Sequence, residues 1–239
     1  MNTFCICTGH NTVVVHLIQV ARVNVRARTH QIYGDDFMKL VIASDIHGAA
    51  QWCRRLIDEL DQHQPDRVIL LGDLLYHGPR NSLPADYNHK EVIAMLNSIK
   101  EQLIVVRGNC EAEVDQWVLE FPCLAEYNIL WDQTLDSDIG TKIQRTDEYG
   151  KLIEGRALFC THGHKWGAGF HNSCDHMPPL PQGSALIFGH THKKINEESA
   201  AYPGIWCFNP GSVGLPKDGT HSYGIYEDGV FTHRIWDNA

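Results

Sequence analysis

From Met38 onward, short β-rich apolar runs alternate with stretches whose apolar residues recur at helical spacing, which confines the chain to α/β architectures. Lys39–Ser44 reads as the first strand, and Ala49–His63 as an amphipathic helix with Trp52, Leu56, Ile57 and Leu60 on one stripe. Arg67–Leu71 reads as the second strand, Glu91–Ile99 as the second helix, Leu103–Val106 as the third strand and Glu111–Leu119 as a third helix. After Pro122 strands dominate: Ile129–Trp131, Ile143–Arg145, Ala157–Cys160, Ala185–Phe188, Ile205–Phe208, Ser222–Tyr226 and Val230–Ile235. Asp228-Gly229 supplies a hairpin turn between the last two. The polar stretch Asp132–Gly155 is expected to project as a hairpin, and the Gly- and Pro-containing stretch Lys165–Gly183 to form a loop over the active edge. Trp117, Trp131, Trp206 and Trp236 are expected in the core or in interfaces.

Residues 1–37 differ from the remainder. They hold three Arg and two Asp, a formal +1, in a chain whose net charge is −9. The text changes abruptly at Met38, so residues 1–37 are expected to be an N-terminal appendage outside the fold, with a strand over Val13–Val20 as the alternative. Residues 38–239 then form one domain, within the size a single core supports. The acidic balance argues against stable nucleic-acid binding, because that affinity grows with Lys and Arg contacts to phosphates. Eight cysteines without a C-x-x-C pair point to reduced thiols and a cytoplasmic protein. No apolar run approaches the length of a membrane span.

The chemistry lies where the strands end. Asp45-Ile46-His47-Gly48 follows the first, Gly72-Asp73 the second, and Gly108-Asn109-Cys110-Glu111 the third. Thr161-His162-Gly163-His164 and Gly189-His190-Thr191-His192 follow two later ones. Ligands bind at the C-terminal ends of strands in open α/β sheets, so five strands deliver carboxylate, amide and imidazole to one edge. Each fragment alone is a common turn or a satisfied polar residue. Together they match the need of two adjacent divalent ions for seven or eight donors and a shared carboxylate. Cys160, His162, His164, His171, Cys174 and His176 lack the C-x₂₋₄-C knuckle of a zinc finger. No G-x-S-x-G elbow and no phosphate-cradling G-x-x-x-x-G-K-[ST] loop is present.

The ordered set D-x-H, G-D, G-N, H-G-H and G-H-T-H resembles the calcineurin-like metallophosphoesterase superfamily, and within it the bacterial YfcE-type phosphodiesterases. The stretches Met38–Gly48, Leu71–Asn81, Val106–Glu111 and Phe208–Ser212 carry the resemblance, which runs from Met38 to near the C-terminus. It implies a four-layer α/β/β/α sandwich with the metal site at the C-terminal ends of the strands. One metal would take Asp45, His47, Asp73 and His192, the other Asp73, Asn109, His162 and His190, with Asp73 as the bridge. Mn²⁺ is the ion favoured, with Fe, Zn and Ni as alternatives. The activity implied is hydrolysis of a small phosphodiester by a hydroxide held between the two ions, with Asp73, Asn109 and His162 in catalytic roles. His77, Arg80, Cys110 and His164 are candidate substrate contacts; Asn81 is a candidate support.

Many superfamily members carry His directly after the G-N asparagine, where this chain has Cys110, as the YfcE-type subgroup does. A thiol is a poorer acid–base group than imidazole near neutral pH, which favours diesters or esters with good leaving groups. The alternatives are a phosphomonoesterase or nucleotide pyrophosphatase on the same site, or a catalytically weak protein-binding scaffold like the retromer subunit of this fold. Homo-oligomerisation is left open.

Overall fold

The computed structural model describes residues 38–133, 145–146, 152–153, 155–165 and 176–236. The expectations for residues 1–37, and for most of the Asp132–Gly155 and Lys165–Gly183 stretches, lie outside the described residues. The elements run β1 Leu40–Ala43, α1 Ala50–His63, β2 Arg67–Leu70, α2 His89–Ser98, β3 Leu103–Val105, β4 Tyr127–Asp132, β5 Arg145–Thr146 and β6 Leu152–Ile153. They continue as β7 Arg156–Thr161, β8 Ala185–Ile187, β9 Lys194–Glu198, β10 Trp206–Pro210, β11 His221–Glu227 and β12 Val230–Trp236. β5 pairs antiparallel with β6, which is the described part of the expected hairpin.

Two mixed five-stranded sheets make up the fold. The first has the order β12-β11-β1-β2-β3 and the second β4-β7-β8-β10-β9. β1, β2 and β3 are parallel, in a register that pairs Ala43 with Leu70 and Leu70 with Val105, so their C-terminal ends stand level. β7 and β8 are parallel too, with Cys160 opposite Ile187. The fully buried Leu40-Val41-Ile42-Ala43 run is what a parallel strand covered on both faces requires. Leu40, Ile42, Ile69 and Leu71 from the first sheet pack against Leu158, Cys160, Ile187 and Phe208 from the second. The outer face of the first sheet is covered by α1 and α2 through Cys53, Leu56, Leu60, Val92 and Leu96. On the outer face of the second, Phe159, Leu186, Phe188 and Cys207 meet Met177 and Leu180, so the described cover there is extended chain.

The third helix expected over Glu111–Leu119 does not form; only a 3₁₀ turn spans Asp115–Trp117. Local side-chain bonding explains this. Asp115 accepts the Ala112 N–H at 2.8 Å, and the Gln116 amide donates to the carbonyls of Leu119 and Phe121 at 3.1 and 2.8 Å, diverting groups a helix would use. Trp117, expected in packing, is 82% exposed on that turn. β9 escapes a hydrophobicity reading because Lys-Ile-Asn-Glu-Glu is polar; its ladder with β10, and not apolar pattern, makes it a strand.

Candidate metal centre

The strand-end motifs converge on one edge, where the two sheets meet. Asp45 and His47 follow β1, Asp73 follows β2 and Asn109 follows β3; His162 follows β7, and His190 and His192 lie between β8 and β9. Backbone hydrogen bonds tie the loops together: Asp45 N–H donates to Gly72 O at 3.1 Å, His47 N–H to Asp73 O at 2.9 Å, and Gly189 N–H to His162 O at 2.9 Å. Among the described residues, seven non-glycine residues have left-handed φ, and five are Asp45 (56°), His47 (51°), Asp73 (55°), His190 (65°) and His192 (58°). That conformation costs free energy, and its concentration at one edge marks where the fold holds side chains against local preference.

Two constellations result. In the first, His47 Nε2 lies 3.2 Å from His192 Nε2 and 3.5 Å from Asp45 Oδ1, and His192 Nε2 lies 3.2 Å from the same oxygen. In the second, His162 Nε2 is 3.1 Å from Asn109 Oδ1 and 3.2 Å from His190 Nδ1. Asp73 Oδ2 faces both, 3.7 Å from His47 Nε2 and 3.5 Å from His162 Nε2. All seven expected ligand residues are therefore brought together, with Asp73 in the shared position.

The residues fit divalent ions. Nδ1 of His47, His162 and His192 contacts the carbonyls of Tyr76 (2.7 Å), Leu71 (2.6 Å) and Leu215 (2.5 Å). With Nδ1–H donating, each ring presents an Nε2 lone pair inward, which is how ligating imidazoles are oriented. Asp45 is fully buried; its Oδ2 accepts from Ser44 Oγ–H (2.7 Å) and His190 N–H (3.0 Å), while Oδ1 accepts no hydrogen bond and points at the two imidazoles. An ionised oxygen buried without a donor calls for a cation. Ligand atoms of Asp45, His47 and His192, and of Asp45, Asp73 and His162, lie within 4.8 Å of one another.

Electrostatics agree. Burial works to raise Asp45, yet the adjacent His192 and His47 hold it well below the usual carboxylate range. His47 and His162 are raised: burial opposes their charged forms, but Asp45 and Asp73 outweigh it. His190 is pushed down to about 4 by burial and then by the charge of His162, so it is a neutral donor of the kind metals take.

Glu111, which closes the Gly108-Asn109-Cys110-Glu111 motif, supports the centre through its loops. Its buried carboxylate accepts from the backbone N–H of Asp73 (2.9 Å), Leu74 (2.7 Å) and Gly108, gripping the loop that carries Asp73. Burial and the nearby charge of Asp73 push it up to about 7. Ser212 Oγ–H donates to Asp45 O at 2.8 Å, and Asn209 Nδ2 to Gly189 O at 2.8 Å, so the Asn-Pro-Gly-Ser stretch braces both halves. Glu111 and Asn209 both lie in stretches that carry the family resemblance, but residue type alone does not tell a bracing Asn or Glu from a common turn residue.

Of the candidate substrate contacts, Arg80 lines the cavity beside Asp73, as does Asn81, whose Nδ2 donates to His77 O at 2.8 Å. Cys110 donates its N–H to Asp73 Oδ1 at 2.8 Å, and its thiol contacts the Asn109 amide at 3.2 Å. His164 lies tilted against His162 and His190, with ring centroids 5.4 and 6.2 Å away, and its Nδ1 is buried and unpartnered. His77 sits edge-on between Tyr76 and Tyr87, its Nδ1 likewise buried and unpartnered.

The family model of the calcineurin-like phosphoesterase superfamily domain matches residues 38–228. The chain belongs to that superfamily. It is similar to the phosphodiesterase YfcE of Escherichia coli strain K12, with 38% identity over 196 residues, 82% of this chain and 90% of the relative. The solved structure of that E. coli phosphoesterase superimposes with a TM-score of 0.66 at 37% identity, covering 82% of this chain and 91% of that one. A metallophosphoesterase from Sphaerobacter thermophilus shares the fold at 19% identity and a TM-score of 0.52, covering 84% of this chain and 89% of its own. Two mixed sheets with helices on an outer face and ligand-type residues at the strand ends are thus the phosphoesterase sandwich.

Proposed function

We propose that this chain is a metal-dependent phosphodiesterase that hydrolyses a small phosphodiester at the strand-end cluster. One observation carries the reading: a single carboxylate oxygen, Asp73 Oδ2, faces both constellations at 3.7 and 3.5 Å from their imidazoles. The similarity to a protein named a phosphodiesterase, over nine-tenths of that protein, supports diesters as the substrate class.

Asp45, His47, Asp73 and His192 would hold one divalent ion, and Asp73, Asn109, His162 and His190 the other. Carboxylate, imidazole and amide donors suit Mn²⁺, Fe or Zn²⁺ alike; the family resemblance puts Mn²⁺ ahead of Fe, Zn and Ni. When bound, the two cations supply charge against the phosphoryl oxygens and lower the pKa of water. The chain's own groups do the rest. Asp73 fixes the spacing of the two halves, Asn109 and His162 set the face on which the phosphoryl group lands, and Arg80 offers its planar fork to phosphoryl oxygens. Burial and the charge of Asp73 push the Cys110 thiol far above its ordinary value, so it keeps its proton and stays neutral. His164, pushed down to about 4 by burial and by the charge of His162, is neutral as well and presents its unpartnered nitrogen for a hydrogen bond. No strong acid stands where an alkoxide would leave, which favours diesters or esters with good leaving groups.

Residues 38–239 are read as the phosphoesterase domain and 1–37 as an appendage; the family match over 38–228 supports that division. The cytoplasm is the assigned compartment, supported by five free cysteines among the described residues. No helix among the described residues is long and apolar enough to cross a membrane.

Metal content measured with turnover of bis(p-nitrophenyl) phosphate tests the reading. Asp73→Asn is expected to lower turnover by more than about 100-fold, since even residues supporting a metal ligand cost 10–100-fold. Equal rates for the two proteins defeat it. Cys110→His is expected to raise monoester relative to diester turnover, and an unchanged ratio refutes the role given to the thiol.

A further inference from the structure

Beside the strand-end cluster lies a cavity of about 610 Å³, lined on one wall by Asp73, Asn109 and His192 and elsewhere by Arg80, Lys193 and Lys217. That volume is typical of sites for whole small molecules and exceeds what one phosphoryl group needs. The chain as a whole carries −9, yet four cationic side chains, Arg80, Lys193, Lys194 and Lys217, line this cavity. Among the described residues, no carboxylate pairs with Arg80, Lys193 or Lys217. Lys194, next in sequence, behaves differently: its Nζ is 2.7 Å from Asp218 Oδ1 and 2.8 Å from Thr220 Oγ1, so its charge is neutralised within the protein.

The unpaired lysines are on braced supports. Lys217 N–H donates to His192 O at 3.0 Å, His192 Nδ1 contacts Leu215 O at 2.5 Å, and Lys194 N–H donates to Asp218 Oδ2 at 2.8 Å. The strap carrying Lys217 is thereby stapled to the loop carrying His192 and Lys193. Both lysines are thus fixed at the backbone relative to a candidate metal ligand, on the rim opposite none of their own counter-charges.

We propose that Lys193 and Lys217 form a second anion subsite, and that the substrate is a phosphodiester bearing an additional phosphate on one of its arms. The inference rests on the hydrolytic reading above for the first phosphate. Two ammonium groups are mobile point charges suited to a dianion with several acceptor oxygens, whereas Arg80 presents a fork. Two uncompensated cations raise the local concentration of anions and exclude neutral-armed competitors only weakly, so the subsite sets preference among diesters.

The test uses two esters that differ only at that arm: thymidine 5′-(p-nitrophenyl phosphate) and its 3′-phosphorylated form. Wild-type protein, full chain and Mn²⁺-loaded, is expected to show about tenfold higher kcat/KM for the phosphorylated ester, mostly through KM, the size two partly exposed ion pairs supply. In the double variant Lys193→Gln with Lys217→Gln the preference falls to near unity; both side chains are exposed, so folding is spared. Calorimetric binding of thymidine 3′,5′-bisphosphate against thymidine 5′-phosphate gives the same comparison without turnover. Bisphosphate binding tenfold tighter in wild type only, with neither ester hydrolysed, upholds the anion subsite and defeats the hydrolytic reading. Hydrolysis of both esters at equal kcat/KM, with equal binding of the two nucleotides, overturns the subsite and leaves the hydrolytic reading standing.

Discussion

The two sheets contribute to the centre in different chemical currency. The first supplies Asp45, Asp73 and Asn109 from level parallel ends, with His47; the second supplies only imidazoles, His162, His190 and His192. Each half is incomplete. The acids crowd negative charge that burial disfavours, and the imidazoles crowd rings whose positive forms are disfavoured, as the depression of His190 and His164 by burial and then by His162 reflects. Hydrogen bonds cross the seam from the second sheet to the first: His190 N–H to Asp45 Oδ2, and His162 Nδ1 to the carbonyl of Leu71 just after β2. The centre is therefore a product of sheet docking, and a cation held there is bound to stabilise the docked state.

The largest effect expected follows directly. Chelation should lower the melting temperature by about 10 °C, the scale of a ligand saturating at a thousandfold over its Kd in a domain of this size. Asp73→Asn should show little of this shift in differential scanning calorimetry. A wild-type melting point that does not respond to chelator or Mn²⁺ breaks the coupling between centre and docking.

Next come the close approaches that let loops meet. A Cβ at Gly189 of the second sheet would collide with Ser44 Oγ of the first, and one at Gly108 would collide with Asp73 Oδ1 within the first. Gly189→Ala and Gly108→Ala should each cost about 1–3 kcal/mol in urea denaturation. Both should reduce chelator sensitivity, Gly108→Ala by displacing Asp73 and Gly189→Ala by straining the seam. Only Gly189→Ala should speed hydrogen exchange in the loops of both sheets, and exchange confined to one sheet in that variant would remove the distinction between seam and sheet.

Glu111→Gln separates the halves further. A glutamine presents an N–H to backbone donors that now meet carboxylate oxygens, so the variant should lose about 1–3 kcal/mol and most turnover. Because every one of those contacts lies in first-sheet loops, hydrogen exchange should rise around Asp73 and not around His190. Uniform acceleration across both loops contradicts that.

The smallest effect lies away from the seam, on the helix-covered face. His221 stacks on Trp52 with centroids 3.5 Å apart, contacts Val213 O at 2.7 Å, and is lowered by burial. Its neutral form is the folded one, so its contribution is complete above the ordinary histidine value and is lost as pH falls through and below it. Relative to His221→Gln, wild type should lose slightly more stability between pH 7.5 and 5.5 in urea titrations. An identical pH dependence removes His221 from the account.

Much of this is legible in the sequence. The β1 and α1 periodicities match the structure, because a buried parallel strand leaves a run such as Leu40–Ala43, and the candidate ligand residue Asp45 lies just after that run stops. Glu111–Leu119 misled because its apolar residues resemble a helical stripe, while Asp115 and Gln116 spend their side chains on backbone groups. β9 was invisible because an edge strand is held by its ladder.

The sequence by itself determined the candidate donors and their order, since residue type and position after an apolar run are local properties. Only the tertiary structure decided which of them share a constellation, that Asp73 faces both, that Glu111 grips its loop, and that among the described residues no carboxylate pairs with Lys193 or Lys217 while Asp218 pairs with Lys194. Those are distances between residues far apart in the chain, and they exist only once apolar burial has pressed one sheet against the other.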